Sequence, residues 1–183
     1  MRSSMTALVT QVRLLIGDPN SGGPVFTDDE LLTMLDNNST DVLYEQLAPV
    51  PTIQPGGAQE WLTWRASAGW WESGEQLLDS GYNSLTPVTV NRQKGLWTFA
   101  AHQNAVLIKG SRYDVYGAAA DTVDAWVAKV KLEFDFSADG GDYKRSQKLA
   151  GLKALAEVLR GRAGSSAGAG VIFAQQVRTD VWN

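Results

Sequence analysis

Few residues in this chain have the chemistry that catalysis needs. The sequence contains no cysteine, which excludes thiolate catalysis, disulfides and cysteine-ligated zinc or iron–sulfur centres. It contains one histidine, His102, so a site with several histidines cannot form within one chain. A triad of His102 with Ser84 or Ser111 would need an activated serine, but the sequence has no Gly-x-Ser-x-Gly motif. We therefore expect His102 to be a surface or packed residue.

Three aspartates offer a second possible chemistry, the binding of calcium. Asp135, Asp139 and Asp142 lie in the segment DFSADGGD at offsets of four and three residues. An EF-hand loop needs ligands at alternate positions and a final glutamate, which this segment lacks. A turn in which Asp142 caps the following helix is therefore the better interpretation.

Glycoside hydrolysis is a third possibility, since it needs two carboxylates on either side of a sugar bond. Four acids lie among tryptophans, namely Glu60, Glu72, Glu75 and Asp79. No spacing between these acids favours a catalytic pair. We predict that the protein is not an enzyme and that it uses no metal and no cofactor.

The aromatic residues of the middle region have two interpretations. The residues concerned are Trp61, Trp64, Trp70, Trp71, Tyr82, Trp97 and Phe99. Their rings form the core of a small β element, or some are exposed and stack on a sugar, a base or a partner protein. Trp70 and Trp71 cannot both face inward on a regular strand, so one of them is expected at a surface. Arg65, Arg92 and Lys94 are the only cations between residues 14 and 108, which disfavours a nucleic-acid groove.

The elements that position these residues begin with two predicted helices. The first runs from about Ser4 to Ile16 and stops at Gly17, which tolerates left-handed backbone angles. Thr27 and Glu30 form a capping box that predicts a second helix from Asp28 to about Leu47.

Two further helices are predicted near the other end of the chain. Apolar residues recur every three or four positions from Tyr113 to Phe134, which predicts a helix of about 33 Å at ~1.5 Å per residue. An acidic elbow, FDFSADGGDY, follows it, and a basic helix opening KRSQK then runs to Arg162.

Residues 52–112 instead show short alternating runs separated by glycines, which predict strands. Their best hairpin candidate is the connection Asn91–Gly95. The fold class predicted is mainly α, a bundle of about four helices with an inserted small antiparallel β element and an extended C-terminal tail. The predicted divisions are a helix pair at 1–50, a β-rich insertion at 51–112, the long helix, elbow and basic helix at 113–162, and a linker with a docking tail at 163–183.

Charge is unevenly distributed along the chain, whose net charge is -4. Eight acids and no Lys or Arg lie between Asp18 and Glu60, whereas the last helix is basic. These charges are ordinary solvated helix faces, or they are complementary surfaces that fix neighbouring subunits. The candidates for contacts between subunits are Asp28, Asp29, Asp36, Lys144, Arg145, Lys148, Trp70 and Trp71.

The C-terminal segment follows a Gly/Ser-rich linker and is apolar again. Its predicted anchors are Val171, Ile172, Phe173, Val177, Val181 and Trp182. A disordered tail seldom carries so many apolar residues, so we expect this one to order by docking on a sheet edge or in a groove of a partner. The alternative is a terminal strand packed on its own domain.

No apolar run approaches the ~18 residues that a membrane span needs. The first sixteen residues also carry charges where a signal peptide would be apolar. We therefore expect the protein to stay in the cytoplasm where it is made and to contact no membrane.

Both ends of the chain carry a resemblance to a known family. The N-terminal segments LVTQVRLLIGDP and FTDDELLTMLD, together with RYDVYGAAADTVDAWVAKVKLEFDFSADGGDYKRSQKLAGLKALAE, resemble the head-tail connector (adaptor, or head completion) proteins of tailed bacteriophages. The resemblance implies a structural virion protein, located in the neck between capsid and tail.

The resemblance further implies a twelve-subunit ring beneath the portal, which joins capsid to tail and lets DNA pass through its lumen without sequence-specific binding. It implies that the C-terminal segment contacts the portal protein and that other surfaces meet tail or stopper proteins. The alternatives are a carbohydrate-binding β module on a helical support, a stopper or tail-completion ring protein, and, further off, a hydrolase.

Overall fold

The computed structural model describes residues 2–18, 23–53, 59–131, 136–138, 141–143 and 145–166. Its described part contains helices near both ends of the chain and antiparallel strands between them. The helices are α1 (Thr6–Ile16), α2 (Asp28–Asn37), α3 (Val115–Val130) and α4 (Arg145–Ser166), and a 3-10 turn at Ser3–Met5 precedes α1. The strands are β1 (Ser39–Gln46), β2 (Ala48–Ile53), β3 (Gln59–Arg65), β4 (Gln76–Leu78), β5 (Thr89–Asn91), β6 (Leu96–Thr98), β7 (Leu107–Tyr113), β8 (Phe136–Ala138) and β9 (Gly141–Tyr143).

Local signals set the end of α1 and the start of α2. Gly17 ends α1 with a left-handed φ of 71°, and its N–H donates to the carbonyl of Arg13. The hydroxyl of Thr27 accepts from the N–H of Glu30 at 3.2 Å, and the Glu30 carboxylate accepts from the N–H of Thr27 at 2.7 Å. The predicted stop and the predicted capping box are therefore confirmed.

The prediction of a mainly α bundle is wrong, and the fold is a mixed α/β fold. The second helix ends at Asn37 rather than near Leu47, and residues 39–46 form β1. β1 pairs antiparallel with β7, with Ser39 opposite Tyr113. The apolar spacing up to Leu47 matches a helix only by coincidence, because pairing with a distant strand overrides a local pattern.

The strands form two main antiparallel sheets, with orders β1-β7-β4 and β2-β3-β6-β5. Pairing of β5 with β6 confirms the hairpin predicted at Asn91–Gly95. A separate hairpin of β8 and β9 occupies the acidic elbow, so Asp142 lies in a strand and the prediction that it caps a helix is wrong. The long helix predicted from Tyr113 begins two residues later as α3, and its last predicted residue, Phe134, lies outside the described residues.

Two hydrophobic cores lie side by side in the chain. The helical core brings together Met5, Leu8, Val12, Phe26, Leu31, Leu35, Val115, Ala119, Val123 and Leu159. The β core contains Leu47, Trp64, Trp71, Leu77, Trp97, Phe99, Val106 and Ile108. Trp71 and Trp97 meet edge to face in it, with ring centroids 5.8 Å apart. Several rings of the middle region therefore form its core, as one of the two interpretations predicted.

A buried ion pair joins the end of α1 to the start of α2. The guanidinium of Arg13, 5% exposed, donates to Asp18 at 2.8 Å, to the Phe26 carbonyl at 2.8 Å and to Asp28 at 2.7 Å. Asp18, 1% exposed, also accepts from the N–H groups of Val25 and Phe26. These bonds satisfy both charges and fix where the chain re-enters the helical core after α1.

Replacing Asp18 with alanine should therefore destabilise the fold strongly. Arg13 would lose its buried partner and two backbone N–H groups would lose their acceptor, so we expect a loss of about 3–5 kcal/mol in the free energy of unfolding. Urea denaturation measures it. Asp36→Ala is the matched control, since Asp36 pairs with Arg2 where both side chains are about half exposed, and it should cost below about 1 kcal/mol. Equal losses in the two variants would contradict the assigned role of Asp18.

Candidate interaction surface

A polar cluster attaches the N-terminus to the β sheets. The Glu72 carboxylate accepts from the hydroxyls of Ser4 at 2.5 Å and Tyr113 at 2.8 Å. Burial raises the pKa of Tyr113 to about 12, and the hydrogen bond and charge of Glu72 act in the same direction. The cluster holds the first turn of the chain against the junction of β7 and α3.

A second carboxylate is turned into the β core. Glu75, whose side chain is 3% exposed, accepts from Arg92 at 2.8 Å and from the indole N–H of Trp97 at 2.9 Å. These two donors satisfy the buried carboxylate oxygens. Glu72 and Glu75 thus accept hydrogen bonds within the chain, and Asp79 shapes a turn.

Three non-glycine residues of the described ranges have φ in the left-handed region, and all three are aromatic. They are Tyr44 at 59°, Trp70 at 62° and Tyr82 at 62°. This conformation costs an L-residue roughly 1–2 kcal/mol. It persists only where the surroundings impose it, and such residues concentrate at functional sites.

Trp70 has this conformation for a reason within the fold. Its ring packs on the helical core and meets Tyr116 edge to face at 6.3 Å, whereas Trp71 is 2% exposed in the β core. Reversing the backbone at Trp70 lets consecutive side chains enter different cores. Trp71 consequently has no face to offer a neighbouring subunit, and Trp70 is only partly exposed.

Tyr44 and Tyr82 owe their conformation to a bulge and a turn. The β1–β7 register shifts between Val42 and Glu45, so Leu43 and Tyr44 form a bulge. Tyr82 lies in the turn after β4, whose backbone wraps around the carboxylate of Asp79. Hydrogen bonds from the Asn83 side chain and from backbone N–H groups hold the pKa of Asp79 below its ordinary value.

The two tyrosines meet at the protein surface. Their ring centroids are 5.4 Å apart at an interplanar angle of 86°, yet Tyr44 is 47% exposed and Tyr82 is 63% exposed. Leu43 is 69% exposed, and the ammonium of Lys109 lies 5.9 Å from the Tyr44 centroid. We call Leu43, Tyr44, Tyr82 and Lys109 the tyrosine surface. Both rings are exposed although their backbone conformation is strained, and this combination makes the tyrosine surface a candidate for contact with another protein.

The acidic residues predicted to meet other subunits have partners within the chain. Asp28 pairs with Arg13, and Asp36 pairs with Arg2. Asp29 is exposed on the first turn of α2 and takes part in an interaction of its own.

The basic candidates and the tail are described only in part. Arg145 is the first residue of α4, and Lys148 is partly buried on the same helix with an interaction of its own. The remaining predicted residues lie outside the described residues, namely Lys144, Val171, Ile172, Phe173, Val177, Val181 and Trp182.

The lone histidine lies away from the polar clusters described above. His102 is exposed and stacks on the ring of Trp61, with centroids 5.4 Å apart. Among the described residues, no three histidine, aspartate or glutamate side chains are placed to hold a metal ion. None of the helices in the described ranges is long and apolar enough to cross a membrane.

Comparisons of this chain with protein-family models, with curated proteins and with solved structures gave no match.

Stability at high pH should report the Tyr113 cluster. Because the folded chain raises the pKa of Tyr113 from 10.0 to about 12, the unfolded chain loses this proton first. The contribution is complete below pH 10 and is lost as pH rises from 10 towards 12. Urea denaturation of Tyr113→Phe across this window should show a shallower fall in stability than the wild type. A fall of the same slope in both proteins would contradict the assignment.

At position 82, a glycine variant should be more stable than a valine variant. Because a β-branched residue is strained at positive φ, we expect Tyr82→Gly to be about 1–2 kcal/mol more stable than Tyr82→Val. Position 88 is the matched control, since Val88 is 65% exposed and has no left-handed φ. There Val88→Gly should be about 0.5–1 kcal/mol less stable than the wild type. Thermal or urea unfolding measures these stabilities. If valine is more stable than glycine at both positions, the backbone at Tyr82 is not strained.

Proposed function

We propose that this protein is a non-enzymatic assembly protein, the head-tail connector of a tailed bacteriophage. The observation that carries the proposal is the tyrosine surface, where Tyr44 and Tyr82 are exposed on a strained backbone and meet edge to face. A convex pair of rings suits contact with a protein better than enclosure of a small substrate. The family resemblance of both ends of the chain adds the kind of assembly.

The proposed assembly is a closed ring, twelve-membered by analogy, in the virion neck beneath the portal. A ring needs two unlike surfaces on each subunit whose rotation closes. The two candidate surfaces are the tyrosine surface on the β1–β7 sheet and the outer face of α4, where Val158 is 54% exposed. DNA passes through the lumen of this ring, and tail or stopper proteins bind on the side away from the portal.

The C-terminal segment is the proposed contact with the portal. Residues 167–183 follow α4, and a chain of this length spans up to about 60 Å when extended. Apolar side chains on such an arm add interface area without enlarging the body of the subunit. Burial of these apolar side chains supplies the free energy of docking.

Cosedimentation with the portal protein encoded in the same genome tests the portal contact. The full-length chain should bind in a stoichiometric ratio, and a chain ending at Ser166, the last residue of α4, should not. Binding that survives the truncation would assign the portal contact to the body of the subunit. No binding by either chain would contradict the connector and favour a stopper or a carbohydrate-binding module.

The tyrosine surface needs its own variants in the same experiment. Tyr44→Asn with Tyr82→Asn removes both rings while keeping a residue that tolerates positive φ, so folding should survive. We expect this pair to prevent ring closure on the portal, counted by electron microscopy. Trp61→Asn is the matched control, because Trp61 is also exposed, at 40%, and lies on the other sheet. Complete rings from the double variant would show that the tyrosine surface is not used in the ring.

A further inference from the structure

A cationic cavity of about 340 Å³ opens beside the end of β3. It lies between the loop at residues 66–69 and the turn of the β5–β6 hairpin. The residues that line it are Arg65, Ala66, Ser67, Ala68, Gly69, Lys94 and Leu96. Two of them are cations, and none is an acid.

Neither cation of this cavity is neutralised by the rest of the described chain. Within those ranges, the side chains of Arg65 and Lys94 form no ion pair and no hydrogen bond. Arg13 and Arg92, by contrast, each bond a carboxylate. Two uncompensated positive charges that line one opening attract an anion.

The walls of the cavity are held by direct backbone contacts. A Cβ on Gly69 would lie 2.0 Å from the carbonyl oxygen of Gln93, and a Cβ on Gly95 would lie 2.5 Å from that of Ala68. The N–H of Ala66 donates to the Gly95 carbonyl at 2.9 Å. Loop and turn therefore fit together only because both contact points are glycines, and the opening keeps its shape.

Two further bonds fix the loop from the side of the other sheet. The N–H of Ser67 donates to the Glu45 carboxylate at 2.7 Å, and the guanidinium of Arg112 donates to the Ser67 hydroxyl at 3.1 Å. The Glu45 carboxylate therefore accepts a hydrogen bond from the backbone of the loop. A site whose charges are positioned before binding loses less entropy when an anion enters.

A second cavity, of about 170 Å³, adjoins the first, since Ala68 and Gly69 line both. It adds Arg112, the partly exposed ring of Trp70 and one acid, Asp114, whose carboxylate accepts from the N–H of Gly117. Cations beside an aromatic ring suit a phosphate that carries a base or sugar, because the charges bind the phosphate and the ring stacks.

We propose that the cavity between Arg65 and Lys94 binds a phosphate group, either free inorganic phosphate or a phosphate of a nucleic acid backbone. This site is independent of the proposed connector ring and of the portal. The site should bind nucleic acid without sequence preference, because its cations would contact phosphate oxygens and not base edges.

Two titrations of the full chain distinguish the sources. Inorganic phosphate should shift the amide NMR signals of Gly69 and Gly95, the two glycines at the cavity wall. A labelled short DNA duplex, titrated at several salt concentrations by fluorescence anisotropy, should bind with a salt-dependent affinity. Removing one phosphate contact lowers the slope of log K against log salt by about 0.9. Arg65→Gln and Lys94→Gln should each produce that decrease and weaken duplex binding several-fold.

Lys153→Gln is the matched control for charge, since Lys153 is exposed on α4, away from the cavity. Its slope should equal that of the wild type. Phosphate shifts with no duplex binding would support the site and identify free phosphate as its ligand. No shift at either glycine, or an equal loss of slope in Lys94→Gln and Lys153→Gln, would overturn the proposal. These titrations contain no portal protein, so neither of these two negative results would bear on the proposed connector function.

Discussion

The antiparallel pairing of β1 with β7 is the constraint on which the rest of this structure depends. This pairing places Ser39 opposite Tyr113. Ser39 follows α2 and Tyr113 precedes α3, so the two helices are attached at the same end of the strand pair. The N–H of Asp114 donates to the Asn38 carbonyl at 2.9 Å, which closes the junction. Gly117 leaves room for the Asn38 side chain there, because a Cβ would lie 2.7 Å from its amide oxygen and would displace it. One register therefore aligns the helical core with the β core, and the bulge of β1 carries Tyr44 on the same strand.

Signals that act within a few residues were sufficient to predict part of this fold from the sequence. The glycine that ends α1, the capping box of α2 and the β5–β6 hairpin each depend on neighbouring residues alone. β1 could not be predicted in this way, because Val42 and Leu47 extend the helical spacing of the preceding helix. What decides its conformation is a strand some seventy residues further along the chain. The mainly α fold class was predicted because the second helix was extended across the residues that form β1.

The candidate surfaces were predictable to different degrees. The turn that exposes Tyr82 contains Asp79, Gly81 and Asn83, residue types that favour such turns, so its position could be recognised. Nothing near Tyr44 indicates a bulge, since its conformation follows from the register with β7. In the sequence, Arg65 and Lys94 are two of the three cations between residues 14 and 108, and nothing in the residues around them indicates a shared site. They line one cavity because β3 and β6 pair with Arg65 opposite Leu96.

The distribution of carboxylates explains why net charge describes this protein poorly. Asp18, Glu72 and Glu75 are turned towards donors within the chain, where each accepts at least two hydrogen bonds. Arg13 and Arg92 offset the charges of Asp18 and Glu75, so these two carboxylates contribute little to the field outside the chain. Within the described residues, the side chains of Arg65 and Lys94 are bonded to no carboxylate. The net charge of the whole chain is negative, and it therefore has the opposite sign to the charges that line this cavity.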